Sequence, residues 1–122
     1  MLALGSGDGL HKIDLRDRSV VPLIKSKEIV ALDFGRDPFQ VYWSDRRSLN
    51  LLFLHNGAWK ELPFRRGEIM SVESLAVDRL ANKLYWADAG QHAIYVGDLR
   101  NGKNVKLIEN LNSPKAIVLS QG

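Results

Sequence analysis

The chain has no cysteine in its 122 residues, so disulfide bridges and thiolate metal sites are excluded and an apolar core must hold the fold. Histidine is scarce: His11, His55 and His92 lack His-x-x-x-His spacing. No Ser/His/Asp order or paired-carboxylate motif offers a nucleophilic or metallohydrolase mechanism. No apolar run nears the roughly 20 residues of a membrane-spanning helix, so a membrane is expected only through a parent protein. The start, Met1 to Gly5, lacks the basic flank and the apolar run of about 7 to 15 residues that mark a secretion signal. A sequon is missing too, because Asn112-Ser113-Pro114 fails at its third position. The 17 basic and 14 acidic residues are interspersed, and without a basic stripe nucleic acid is not expected as a partner. Nor is there a capped stretch of clean 3.6-residue periodicity, so no helix is expected beyond a single turn.

What the chain does have is a repeat. Tyr42-Trp43-Ser44-Asp45 returns 43 residues later as Tyr85-Trp86-Ala87-Asp88. The period fits a four-stranded propeller blade and exceeds that of leucine-rich or ankyrin repeats. On this period Ala31-Leu32-Asp33-Phe34 falls over Ser74-Leu75-Ala76-Val77, and Phe39 to Trp43 falls over Asn82 to Trp86. A third segment follows in each unit, Leu49 to Leu54 and Ala93 to Leu99, then an Asn-Gly turn and a fourth, Lys60 to Phe64 and Asn104 to Ile108.

Upstream, Leu2 to Leu4, Leu10 to Leu15 and Val20 to Ile24 read as the second, third and fourth strands of a blade; Lys115 to Leu119 reads as the first strand of another. The expectation is an all-β partial propeller of about three blades of four antiparallel strands. Its incomplete first blade spans residues 1–28, the second 29–70, the third 71–112, and a further blade opens at 113–122. Two copies could close a six-bladed ring by sharing the last strand, which would protect the open sheet edges.

These residues resemble the YWTD repeats, or class B repeats, of the low-density-lipoprotein receptor family, together with Leu75-Ala76-Val77-Asp78, Leu10-His11-Lys12-Ile13-Asp14-Leu15 and Ser113-Pro114-Lys115-Ala116-Ile117. The match covers essentially the whole chain. Ser44 and Ala87 replace the family's usual threonine, and Leu2-Ala3-Leu4-Gly5 stands where a Tyr-Trp pair would sit. The degenerate opening reads as the N-terminal half of a six-bladed ring. The resemblance implies a non-enzymatic protein-binding module without a cofactor, in a cell-surface receptor that takes part in endocytosis or signalling. Its partners would be a protein ligand or neighbouring EGF-like modules, and its place extracellular. A nidogen-like matrix scaffold is the alternative, with a propeller hydrolase behind it.

Carried over from the family, the ligand face would comprise Lys27, Glu28, Arg46, Arg47, Ser71, Glu73, Gln91 and Lys115. The motif residues read as structure: Tyr42, Trp43, Tyr85 and Trp86 fill space between blades, and Asp45 and Asp88 accept backbone N–H groups where their strands end. Ser44 keeps a hydroxyl that Ala87 lacks. Gly5-Ser6-Gly7-Asp8-Gly9 has neither G-x-G-x-x-G spacing nor a following helix and reads as a hairpin turn. The doublets Arg46-Arg47 and Arg65-Arg66 read as loop residues available to an acidic ligand, and the histidines as rim residues able to respond between about pH 5 and 8. A channel hydrolase would need converging acids. The candidate strands offer Asp33 among Leu32, Phe34, Leu75, Val77, Ile117 and Leu119, so stoichiometric calcium in purified protein would be the sign that revives that reading.

Overall fold

The computed structural model describes residues 2–25, 28–35, 40–65 and 69–120, and among them every regular element is a strand. The order is β1 (Leu2–Ser6), β2 (Gly9–Ile13), β3 (Val20–Lys25), β4 (Ala31–Phe34), β5 (Gln40–Ser44), β6 (Leu49–His55), β7 (Ala58–Arg65), β8 (Val72–Asp78), β9 (Lys83–Asp88), β10 (Ala93–Asp98) and β11 (Asn104–Ile108). They form three sheets, each a simple antiparallel meander: β1-β2-β3, β4-β5-β6-β7 and β8-β9-β10-β11.

The tight turns follow their chemistry. Asn56 and Gly57 both take positive φ, 51° and 78°, as a two-residue turn matched to strand twist requires. The other Asn-Gly pair behaves differently. Only Gly102 is left-handed, at φ 73°, in a longer loop closed by Gly102 N–H donating to the Asp98 carbonyl and Asp98 N–H donating to that of Lys103.

The sheets stack face to face through two apolar cores. Leu10, Ile24 and Ile29 meet Val41, Trp43 and Leu52 in one. In the other, Tyr42 and Leu49 meet Val72, Leu75, Val77, Leu84, Trp86, Ala93 and Tyr95. Successive residues of β5 thus enter opposite cores, which is why Val41, Tyr42, Trp43 and Ser44 are all buried and the strand carries no polar alternation. Burial pushes the Tyr42 phenol above its ordinary value of 10.0. Trp86 stacks on Tyr95 with ring centroids 5.5 Å apart and planes 6° from parallel, and the Lys106 ammonium lies 6.0 Å from the Tyr95 centroid. Close approach of β1 to the link before β4 needs glycine: a Cβ on Gly5 would lie 2.5 Å from Ile29 Cγ2.

Three sequence expectations are corrected. Lys115 to Leu119 is not a strand; residues 114–120 form no ladder. A blade's first strand pairs with its own second strand, and these residues pair with no described strand. The segment instead rests against β8, where Ile117 N–H donates to Ser74 Oγ at 3.0 Å. The strand expected over Leu10 to Leu15 ends at Ile13, because Asp14 caps a turn by accepting the Arg16 N–H at 2.8 Å. Strand β8 begins two residues earlier than expected, with a bulge between Val72 and Ser74. Phe39 and the turn residues Arg36, Asp37 and Pro38 lie outside the described residues.

Candidate functional site

Because the strands alternate in direction, the β1–β2, β5–β6 and β9–β10 turns lie at one end of the sheets with the links β3–β4 and β7–β8. Each sheet's exit link is tied to that end by a backbone hydrogen bond: Ile29 N–H to the Ser6 carbonyl, Val72 N–H to that of Arg46, and Leu111 N–H to that of His92, all 2.7 to 2.8 Å. The repeat therefore builds a repeated loop platform.

Asp88 is the main anchor. Its carboxylate is fully buried. Oδ1 accepts the N–H groups of Ser71 at 2.9 Å, Gly90 at 3.0 Å and Gln91 at 3.2 Å, while Oδ2 accepts that of Met70 at 2.9 Å. One side chain thus orders both the β9–β10 turn and the approach to β8. Among the described residues its repeat counterpart accepts fewer bonds. Asp45 is half-buried and accepts the Arg47 N–H at 3.1 Å and the Ser48 hydroxyl at 2.8 Å. Ser44 is the hydroxyl member of the pair, its Oγ accepting the Arg46 N–H at 3.0 Å; buried Ala87 has no such group, and the adjoining Ala89 N–H goes to the Ser71 carbonyl at 2.9 Å.

On this platform four of the eight sequence-derived ligand positions come together. Arg46, in the β5–β6 turn, reaches Glu73 at the start of β8 at 3.2 Å and Glu28 in the β3–β4 link at 3.8 Å, and Ser71 Oγ donates to the same Glu73 oxygen at 3.1 Å. Arg46 holds this position with φ at 85°, a region costly for a side chain other than glycine. It is therefore not a free cation of a basic doublet but the centre of an ion-pair cluster. Both arginines are exposed, and Arg47 forms no ion pair with a described residue.

Gln91 adjoins the cluster through the shared Asp88 oxygen, and its amide oxygen accepts from the Tyr95 hydroxyl. Lys115 is exposed on the segment after β11 and joins the cluster through no hydrogen bond or ion pair with a described residue. Lys27 lies outside the described residues, as do Arg66 and the side chain of Arg65. The histidines stay apart: the His92 ring lies 3.1 Å from the Leu111 carbonyl, and that of His55 3.3 Å from the Asn56 amide.

At the opposite end, Asp33 has a role its sequence position does not reveal. Its carboxylate accepts the Phe34 and Val77 N–H groups, each at 2.8 Å, and lies 3.4 Å from Arg79, whose Nε donates to the Gly35 carbonyl at 3.2 Å. This acid clamps the second and third sheets together. Among the described residues no three His, Asp or Glu side chains gather as a metal site would require.

Four-stranded meanders stacked face to face, with a polar loop platform at one end, are the blades of a β-propeller. Residues 82–119 match the family model "Low-density lipoprotein receptor repeat class B", so the chain carries a repeat of the YWTD type. It is 28% identical to a nidogen of Drosophila melanogaster over 98 residues, and 31% identical to the low-density lipoprotein receptor-related protein 5 of Mus musculus over 97. These cover 80% and 76% of this chain but 7% and 6% of those proteins. Among solved structures, a chain of a nidogen/laminin complex superposes with a TM-score of 0.72 at 21% identity, over 89% of this chain and 44% of that one. A hydrazine synthase chain from Kuenenia stuttgartiensis gives 0.70 at 17%, over 90% and 32%. Since the last is an enzyme, the shared fold alone does not decide activity.

Proposed function

We propose that the chain is a non-enzymatic protein-recognition module, part of an extracellular receptor or matrix propeller, and that its ligand docks on the loop platform around Arg46. The observation that carries the reading is the convergence of Glu28 from one link, Arg46 from a turn, and Ser71 and Glu73 from the entry to β8, on a frame held by a buried carboxylate. Such a mixed-charge cluster sets orientation and association rate more than raw affinity. The receptor-related and nidogen relatives support both a receptor and a matrix setting. A role in endocytosis or signalling would follow from the receptor setting. The third blade also has an apolar outer flank, where Val105, Leu107 and Ile108 are exposed. In this reading that flank is covered by a further blade, from a longer chain or from a second copy closing a ring.

Laminin is the probe suggested by the nidogen/laminin neighbour. In surface plasmon resonance, saturable laminin binding is expected to weaken about tenfold in Arg47→Glu and in Arg46→Gly. Arg46→Gly suits the left-handed backbone and trades relief of strain against exposed ion pairs worth about 0 to 1 kcal/mol, so stability should hold. Binding that both substitutions leave unchanged would remove this face from the site.

A further inference from the structure

A second surface lies at the other end of the sheets, between the turn that follows β2 and the β6–β7 hairpin. It is an open cleft of about 660 Å³ between the first two blades. That volume is within the usual range of roughly 300 to 1,000 Å³ for ligand sites. Ile13 and Leu15 form one wall, Leu54 and Trp59 the other, with Lys12 and Arg16 on the lining as well. Leu54 and Trp59 sit directly opposite each other across the β6–β7 ladder, and Trp59 packs against the core joining the first two sheets. The apolar floor is therefore built on rigid strands. Leu15 is 68% exposed, an unusual position for leucine in a turn that its neighbours do not cover. The mouth stays open at Gly57, where an added Cβ would meet no atom within 4 Å.

The polar groups favour one kind of occupant. Lys12 forms no ion pair with a described residue. Arg16 lies 3.6 Å from Asp14, but its side chain is 92% exposed, so the contact is weak and the guanidinium can turn to another carboxylate. The Asp14 carboxylate is committed to its own turn, accepting the Arg16 N–H at 2.8 Å. The cleft thus offers an apolar trough with two available cations beside it.

We infer that this cleft is a docking site for a short acidic peptide segment of a partner protein, with a large apolar side chain in the trough and flanking carboxylates on Lys12 and Arg16. The site is separate from the loop platform, so it stands or falls independently of the laminin test. Two cations beside a carboxylate make too short a track for a nucleic-acid backbone, which leaves base-independent phosphate binding as an outcome for the experiment to report.

Fluorescence anisotropy with a labelled Glu-Asp-Phe-Glu-Glu peptide tests the inference, with a Lys-Lys-Phe-Lys-Lys peptide and a single-stranded oligonucleotide as controls. Saturable binding of the acidic peptide below about 1 mM is expected, weakening at least about tenfold in the double variant Lys12→Glu with Arg16→Glu. Leu15→Asp, at a position too exposed to disturb folding, should weaken it similarly; Lys103→Glu, at an exposed position in the third blade, should not. Absence of saturation by about 1 mM would overturn the inference. So would indifference to all cleft substitutions, equal binding of the basic peptide, or preference for the oligonucleotide.

Discussion

Trp86→Ala is expected to lower unfolding stability by about 3 to 5 kcal/mol, the cost of emptying a large site in a packed core. Trp86 is only 1% exposed and shares its core with residues of both the second and third sheets. Its removal also takes away the ring stacked on Tyr95, so the substitution loosens the sheet and the blade contact at once. Tyr85, the other half of the motif pair, has its side chain on the opposite face of β9 and is only half-buried. Tyr85→Ala should therefore cost about 1 kcal/mol. Urea unfolding followed by circular dichroism separates the two. Equal losses would mean that the blades do not stack as described.

Asp88→Asn is expected to cost about 2 to 4 kcal/mol although it replaces a single heavy atom, because a buried charged acceptor is worth more than a neutral one and an orphaned donor is penalised. The amide that replaces one carboxylate oxygen would present its own donors to backbone N–H groups. Either the Met70 N–H or those of Ser71, Gly90 and Gln91 would then face a donor. Asp45→Asn, by contrast, affects one backbone N–H and one hydroxyl at a half-buried site and should cost about 0.5 to 1 kcal/mol. Thermal unfolding of both variants in parallel gives the comparison. A neutral Asp88→Asn would show that the carboxylate is not the anchor of the platform.

The sequence repeat makes the unequal weight of these two aspartates hard to foresee. Asp45 and Asp88 are equivalent on the 43-residue period, and both end a Tyr-Trp strand. What separates them among the described residues is that the Met70 and Ser71 N–H groups, far from Asp88 in sequence, reach its carboxylate. The blade pattern itself was legible because each unit carries its strands in order and because a strand buried on both faces shows as successive apolar residues. Lys115 to Leu119 misled because its composition suits a strand while it forms no ladder with a described strand.

The candidate site was legible as a set of loop positions but not as a set of contacts. Arg46 reads as half of a basic doublet, yet Glu28 reaches it from the β3–β4 link and Glu73 from the start of β8. No local pattern announces such pairing. The cleft beside Trp59 was invisible for the same reason, since its two walls belong to different blades.

Amide hydrogen exchange of the free protein tests most directly the claim that the loop platform is rigid and anchored by a buried carboxylate. Met70, Ser71, Gly90 and Gln91 lie outside the strands and would exchange rapidly as ordinary loop amides. The account predicts that they exchange as slowly as the strand amides of β8 and β9, and that Asp88→Asn releases them together. Rapid exchange at all four in the unsubstituted protein would contradict it.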